Sequence, residues 1–137
     1  MSAAYLARFD EALQLARRAV DLDPLNGGGW GVLAQIELYM GQLDQSEADC
    51  KKAHEPNPDD FGAQVTLSQI YLMQGRPQDA LPEIERLHYA PYRAWLYALT
   101  YYALGRKSES DAELSELTTK YHASNAFEIA TIYGFRN

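Results

Sequence analysis

Apolar and small residues recur along this chain in steps of three and four, the spacing of one face of an α-helix. One stripe runs Trp30, Leu33, Ala34, Glu37 and ends at Gly41. It returns as Gln64, Leu67, Ser68, Tyr71 and Gly75, then as Ala94, Tyr97, Ala98, Tyr101 and Gly105. A last copy reads Ala126, Ile129, Ala130, Tyr133 and Asn137. From copy to copy the closing residue steps by 34, 30 and 32 positions. Each of the first three copies leads into a second stripe: Ser46, Cys50 and Ala53; Ala80, Ile84 and Leu87; Ser110, Leu114 and Leu117. Ala12, Ala16 and Ala19, followed by Pro24, form such a second stripe ahead of them all. Glycine closes the first helix of each pair, and Pro58 and Pro91 lie beyond two of the second helices. The pattern predicts helix, short turn, helix, repeated with a period near 34.

These residues resemble the tetratricopeptide repeat (TPR), whose pattern is Trp-x2-Leu-Gly-x2-Tyr, then Ala-x3-Phe, then Pro. Trp30, Leu33, Ala34, Gly41, Ala53 and Pro58 match it, as do Leu67, Tyr71, Gly75 and Ala80, and Ala98, Tyr101 and Gly105. The opening run from Phe9 to Pro24 is similar to a TPR second helix. The resemblance implies an all-α fold, a right-handed superhelical solenoid of antiparallel helix pairs. One TPR domain is expected over residues 1–137: a partial repeat at 1–26, repeats at 27–60, 61–90 and 91–122, and a partial repeat at 123–137. Packing explains the pattern. Small residues (Ala34, Ser68, Ala98, Ala130) let paired helices approach, and each pair buries its stripe against its neighbours.

Departures from the pattern carry expectations of their own. Glu37 stands where tyrosine is expected. Gly27, Gly28 and Gly29 predict a helix that starts late or frays, at about 1 kcal/mol per glycine. Pro82 predicts a late start or a kink, in a shortened helix ending near Tyr89. Only Ser2 to Leu6 are expected ahead of a turn before Phe9. The last helix, with Phe127, Ile129, Ile132, Tyr133 and Phe135, is apolar where a solenoid normally ends in a polar cap. That implies either a piece of a longer repeat region or an end that pairs in a homodimer. The segments 97–112 and 125–133 also resemble the TPR regions of bacterial multidomain regulators, whose upstream domains are adenylate cyclase-type or winged-helix.

In such a stack the first helices line the concave side, and one stripe of each faces the groove. That stripe selects Gln35 and Tyr39, Thr66, Gln69 and Met73, Trp95, Leu99 and Tyr102, and Phe127 and Thr131 as a partner-binding groove. Ten of the 16 aromatic residues lie in 89–137, so the later part of the stripe is the more apolar. Aromatic anchors suit a peptide or protein segment. Packing between neighbouring first helices is the alternative use of Trp95, Tyr102 and Phe127. TPR domains that hold chaperone C-terminal carboxylates place Lys, Arg and Asn on this stripe. Gln, Thr, Leu and Val stand here instead, so that function is not expected.

Charge narrows the partner classes. Twelve Lys and Arg against 19 Asp and Glu give a net charge of −7, which disfavours nucleic acid and anionic membrane surfaces. No apolar run has the roughly 18 residues of a membrane helix. The opening residues lack the regions of a signal peptide, and Cys50 is the single cysteine, so a reducing, cytoplasmic setting is expected.

No catalytic residue, metal or cofactor is expected. Cys50 and His54 share a helical face, but zinc takes about four ligands and Cys50 occupies a packing position. Gly27–Gly31 lacks the Lys-Ser/Thr and preceding strand of a phosphate loop. His88 and His122 read as closing residues of second helices. The function expected is a non-catalytic interaction scaffold, belonging to a larger regulatory protein. An oligomerisation scaffold and, more weakly, a small-molecule sensor pocket are the alternatives.

Overall fold

The computed structural model describes residues 2–121 and 125–137. Among them there are eight helices and no strand: α1 (Ala3–Leu22), α2 (Gly27–Tyr39), α3 (Leu43–His54), α4 (Phe61–Met73), α5 (Pro77–Glu85), α6 (Ala90–Ala103), α7 (Lys107–Tyr121) and α8 (Ala126–Arg136). They fall into two compact units, one up to Ile70 and one from Tyr71 onward. His122 lies outside the described residues.

Three turns share one geometry. Gly41, Gly75 and Gly105 have φ of 78°, 73° and 77°, a region that L side chains enter only at a cost. The amide after each glycine donates back to the carbonyl of Glu37 (2.9 Å), Tyr71 (2.8 Å) or Tyr101 (2.8 Å). The glycine amide itself donates to Leu38, Leu72 or Tyr102. This double closure satisfies carbonyls that a helix end otherwise leaves open. It also reverses the chain within three residues, so α2 lies back on α3 and α6 on α7.

In the first unit, Leu13, Ala16 and Val20 of α1 pack with Leu33 of α2, and Trp30, Ile36 and Met40 close over them. The Trp30 indole Nε1 donates to the Pro24 carbonyl at 2.8 Å, and the Lys52 ammonium sits 4.0 Å from its ring centroid. In the second unit Ile84, Leu87, Leu96, Leu117 and Ile132 are fully buried. Each such side chain contributes about 1.5–3 kcal/mol on leaving water. One polar tie repeats in both units: Ser46 Oγ donates to the Ala34 carbonyl and Ser110 Oγ to the Ala98 carbonyl, both at 2.6 Å. The small residue of each first helix thus lets the second helix come close enough for a direct bond.

Four local expectations are corrected. There is no turn before Phe9. α1 is continuous from Ala3, with Ser2 Oγ accepting the Tyr5 amide at 3.3 Å, and no Gly or Pro interrupts it. α2 does not start late. It begins at Gly27, where Asn26 Oδ1 accepts the Gly28 amide at 3.0 Å. A Cβ on Gly29 would stand 3.4 Å from Val20 Cγ1 and one on Gly27 3.5 Å from the Ala53 carbonyl, both ordinary contact distances. α5 starts at Pro77 and runs through Pro82, so the late start is absent. Pro77 in the first turn needs no amide partner, which explains that start. α5 ends at Glu85 rather than near Tyr89, and His88 therefore lies beyond the helix.

Candidate functional site

The first helices α2, α4, α6 and α8 carry the stripe selected from the sequence, and each unit holds part of it. In the first unit Gln35 and Tyr39 of α2 are exposed, Tyr39 at 59%. Thr66 of α4 is buried and Gln69 is half-buried. Val32, exposed and one helical step before Gln35, extends the same face. The stripe read from the sequence omits it, although it stands before Ala34 much as Trp95 stands before Ala98. Continuing the three-and-four spacing one step backwards would have found it.

In the second unit Met73 is exposed. Trp95 and Leu99 of α6 are buried, and Tyr102 is half-buried. The Trp95 indole Nε1 donates to Thr131 Oγ1 at 2.8 Å, and Thr131 Oγ1 donates in turn to the Glu128 carbonyl at 2.8 Å. The Tyr102 hydroxyl donates to the Arg136 carbonyl at 3.2 Å, and its ring meets Phe135 edge-on at 6.2 Å. Trp95, Tyr102 and Thr131 therefore seat α8 against α6. Phe127 stands apart from that set, 72% exposed.

Arg136 completes the seat. Its guanidinium lies 5.2 Å from the Tyr102 ring centroid, 2.8 Å from Asp111 Oδ1 and 2.7 Å from Ser110 Oγ. One arginine thus ties α8 to both α6 and α7.

A second construction repeats at the turns. Arg76 lies over the Tyr71 ring and Arg106 over the Tyr101 ring, each 4.7 Å from the centroid. Arg76 pairs with Asp79, and Arg106 pairs with Glu109. Tyr97 stacks on Tyr101 at 5.1 Å, nearly parallel. Burial pushes both hydroxyls above the ordinary tyrosine range. At the α2 turn the equivalents are Glu37 and Gln42, so the stacked pair is replaced as a pair.

Charge is divided between the two kinds of helix. α4 has no charged residue, and Glu37 is the only one on α2 and is buried. α6 has Arg93 alone, donating to the Leu87 carbonyl at 3.0 Å. α8 has buried Glu128 and the engaged Arg136. The exposed parts of these helices present Val32, Gln35, Tyr39, Met73, Phe127 and Tyr133. α3, α5 and α7 carry the acids, Asp44 and Glu47, Asp79 and Glu83, Glu109 and Asp111 among them. Cys50 is buried, with Sγ 3.6 Å from the Ala63 carbonyl, which agrees with a packing role. No helix among the described residues is long and apolar enough to cross a membrane.

No family model matches the chain. Over 79 residues, 58% of the chain, it is 30% identical to heat shock protein STI1 of Saccharomyces cerevisiae, and it spans 13% of that protein's length. The crystal structure of a thermophilic TPR protein from Thermus thermophilus superposes on 95% of the chain. The TM-score is 0.76 at 22% identity, over 75% of that structure's chain. The fold is therefore all-α and TPR-like, as the repeat spacing predicts.

Proposed function

We propose that this chain is a non-catalytic scaffold that binds a peptide or protein segment on the exposed faces of its first helices. The observation that carries this reading is the division of charge. On a chain of net charge −7, the exposed first-helix residues are neutral, apolar or amide-bearing. Aromatic and apolar anchors flanked by uncharged groups suit an uncharged amphipathic segment. Gln35, Tyr39, Met73 and Phe127 are the contact residues in this reading. Thr66, Gln69, Trp95, Leu99, Tyr102 and Thr131 hold the helices that present them. The scaffold is read as one TPR domain with the repeat boundaries given above, part of a larger, cytoplasmic bacterial regulator.

The test is selection of binders from a peptide library, followed by calorimetry with single variants. Tyr39→Ala or Phe127→Ala should weaken binding at least tenfold, each exposed side chain leaving the melting temperature within about 2 °C. Binders indifferent to both substitutions, or no binders at all, would remove the reading.

A second reading is self-association through α8. Ala130 is exposed, whereas its counterparts Ala34, Ser68 and Ala98 are fully buried, Ala34 and Ala98 against the serine of a second helix. Phe127 and Tyr133 flank it on the open face. Light scattering over a concentration series should then show a dimer that Tyr133→Asp dissolves. A monomer throughout would discard it.

A further inference from the structure

α2 and α3 enclose one ionisable side chain that receives no donor. Glu37 occupies the position of Tyr71 and Tyr101 in the later turns, is 0% exposed, and has no hydrogen bond to either carboxyl oxygen. The charged groups that face it are few. From α3 come Asp49, 2% exposed, and Lys52; from α1 comes Arg17. α4 has no titratable side chain from Phe61 to Ile70. Arg17 Nη2 stands 3.9 Å from Glu37 Oε1, beyond hydrogen-bond range, on a half-exposed side chain. Asp49 is better served: Gln45 Nε2 donates to Oδ2 at 3.1 Å and Lys52 Nζ to Oδ1 at 3.3 Å.

A buried carboxyl without donors beside a second carboxylate is costly to ionise. A proton changes that, because it turns one Glu37 oxygen into a donor facing Asp49. We infer that Glu37 carries a proton in the packed α2–α3 pair, directed at Asp49, and that releasing this proton loosens the pair. Burial first, and the charge of Asp49 second, push the Glu37 carboxyl up from 4.5 to about 7, against the pull of Arg17 and Lys52.

The direction of the pH effect follows. Between about 4.5 and about 7 the folded chain holds a proton that the unfolded chain has released. Stability therefore falls as pH rises through that window and levels off above it. A displacement of this size corresponds to at most about 300-fold in the folding equilibrium. Gln35 and Tyr39 flank Glu37 on α2, so the loosening reaches the candidate surface; this last consequence alone rests on the interaction role proposed above.

The experiment needs no partner, so it stands or falls apart from that role. The Glu37 carboxyl carbon is titrated by NMR in the intact chain. A midpoint near neutrality is expected, and one near the ordinary glutamate value would overturn the inference. Urea unfolding is then compared at pH 4.5 and pH 8 for the native chain and Glu37→Gln. The native chain should lose about 150-fold more in its folding constant than the variant, half the full span because the unfolded glutamate is half-ionised at pH 4.5. An equal loss in both would overturn the inference. Asp49→Asn should lower the Glu37 midpoint, and an unchanged midpoint would remove Asp49 from it. Should Glu37→Gln fail to fold, the native-chain titration decides.

Discussion

Two glycines of the second unit have the same free space and should respond to alanine with opposite sign. A Cβ added at Gly105 or at Gly134 meets nothing within 4 Å, so neither substitution causes a clash. The backbone differs. Gly105 closes the α6 turn at φ 77°, while Gly134 lies inside α8 without a positive φ. An L residue in the left-handed region costs roughly 1–2 kcal/mol. The stiffer unfolded chain returns about 0.4–1 kcal/mol of that. Gly105→Ala should therefore destabilise by about 1 kcal/mol. Gly134→Ala, in a helix, should stabilise by about 0.5–1 kcal/mol. The assay is urea denaturation followed by circular dichroism, with the denaturant slope checked for constancy. Gly41→Ala and Gly75→Ala replicate the first case, since both turns are equally open. Gly105→Asn should recover part of the loss, because asparagine tolerates that conformation. A neutral or stabilising Gly105→Ala, or shifts of the same sign at both positions, would refute the backbone argument.

Two further substitutions probe the second unit. Pro82 is exposed inside α5 and deprives the helix of one amide donor, so Pro82→Ala should raise stability by about 1–2 kcal/mol, read as a higher urea midpoint. Ser110→Ala removes both the bond to the Ala98 carbonyl and the acceptor for Arg136, and should cost about 1–3 kcal/mol. Ser46→Ala removes the bond to Ala34 and should cost less, so equal losses would argue against the Arg136 clamp.

The repeats were legible because their signals are redundant. Gly41, Gly75 and Gly105 close three helices in phase, and Ala34, Ser68 and Ala98 stand seven residues ahead of them. The first turn of α2 was not legible, because propensity treats Gly27–Gly29 as a defect. The Asn26 side chain, which accepts the Gly28 amide, starts the helix there despite the glycines. The α5 boundaries are hard to read because two prolines signal in opposite senses: Pro77 in the first turn favours a helix start, and Pro82 in the interior opposes it. Within the candidate stripe, periodicity placed the residues on first helices but did not separate presented side chains from seated ones. Trp95 and Phe127 occupy equivalent positions one repeat apart. Trp95 is covered by α8, and Phe127 has no later helix over it among the described residues.

The two tryptophans divide between the units. Trp30 is half-buried beneath an ammonium group, and Trp95 is buried and bonded to a hydroxyl. Fluorescence from Trp95→Phe reports only the stretch up to Ile70, and that from Trp30→Phe only the stretch beyond. Two melting curves that coincide would describe one cooperative array. Curves that separate would give each half its own stability, and a ligand that shifts one emission alone would identify the half it occupies.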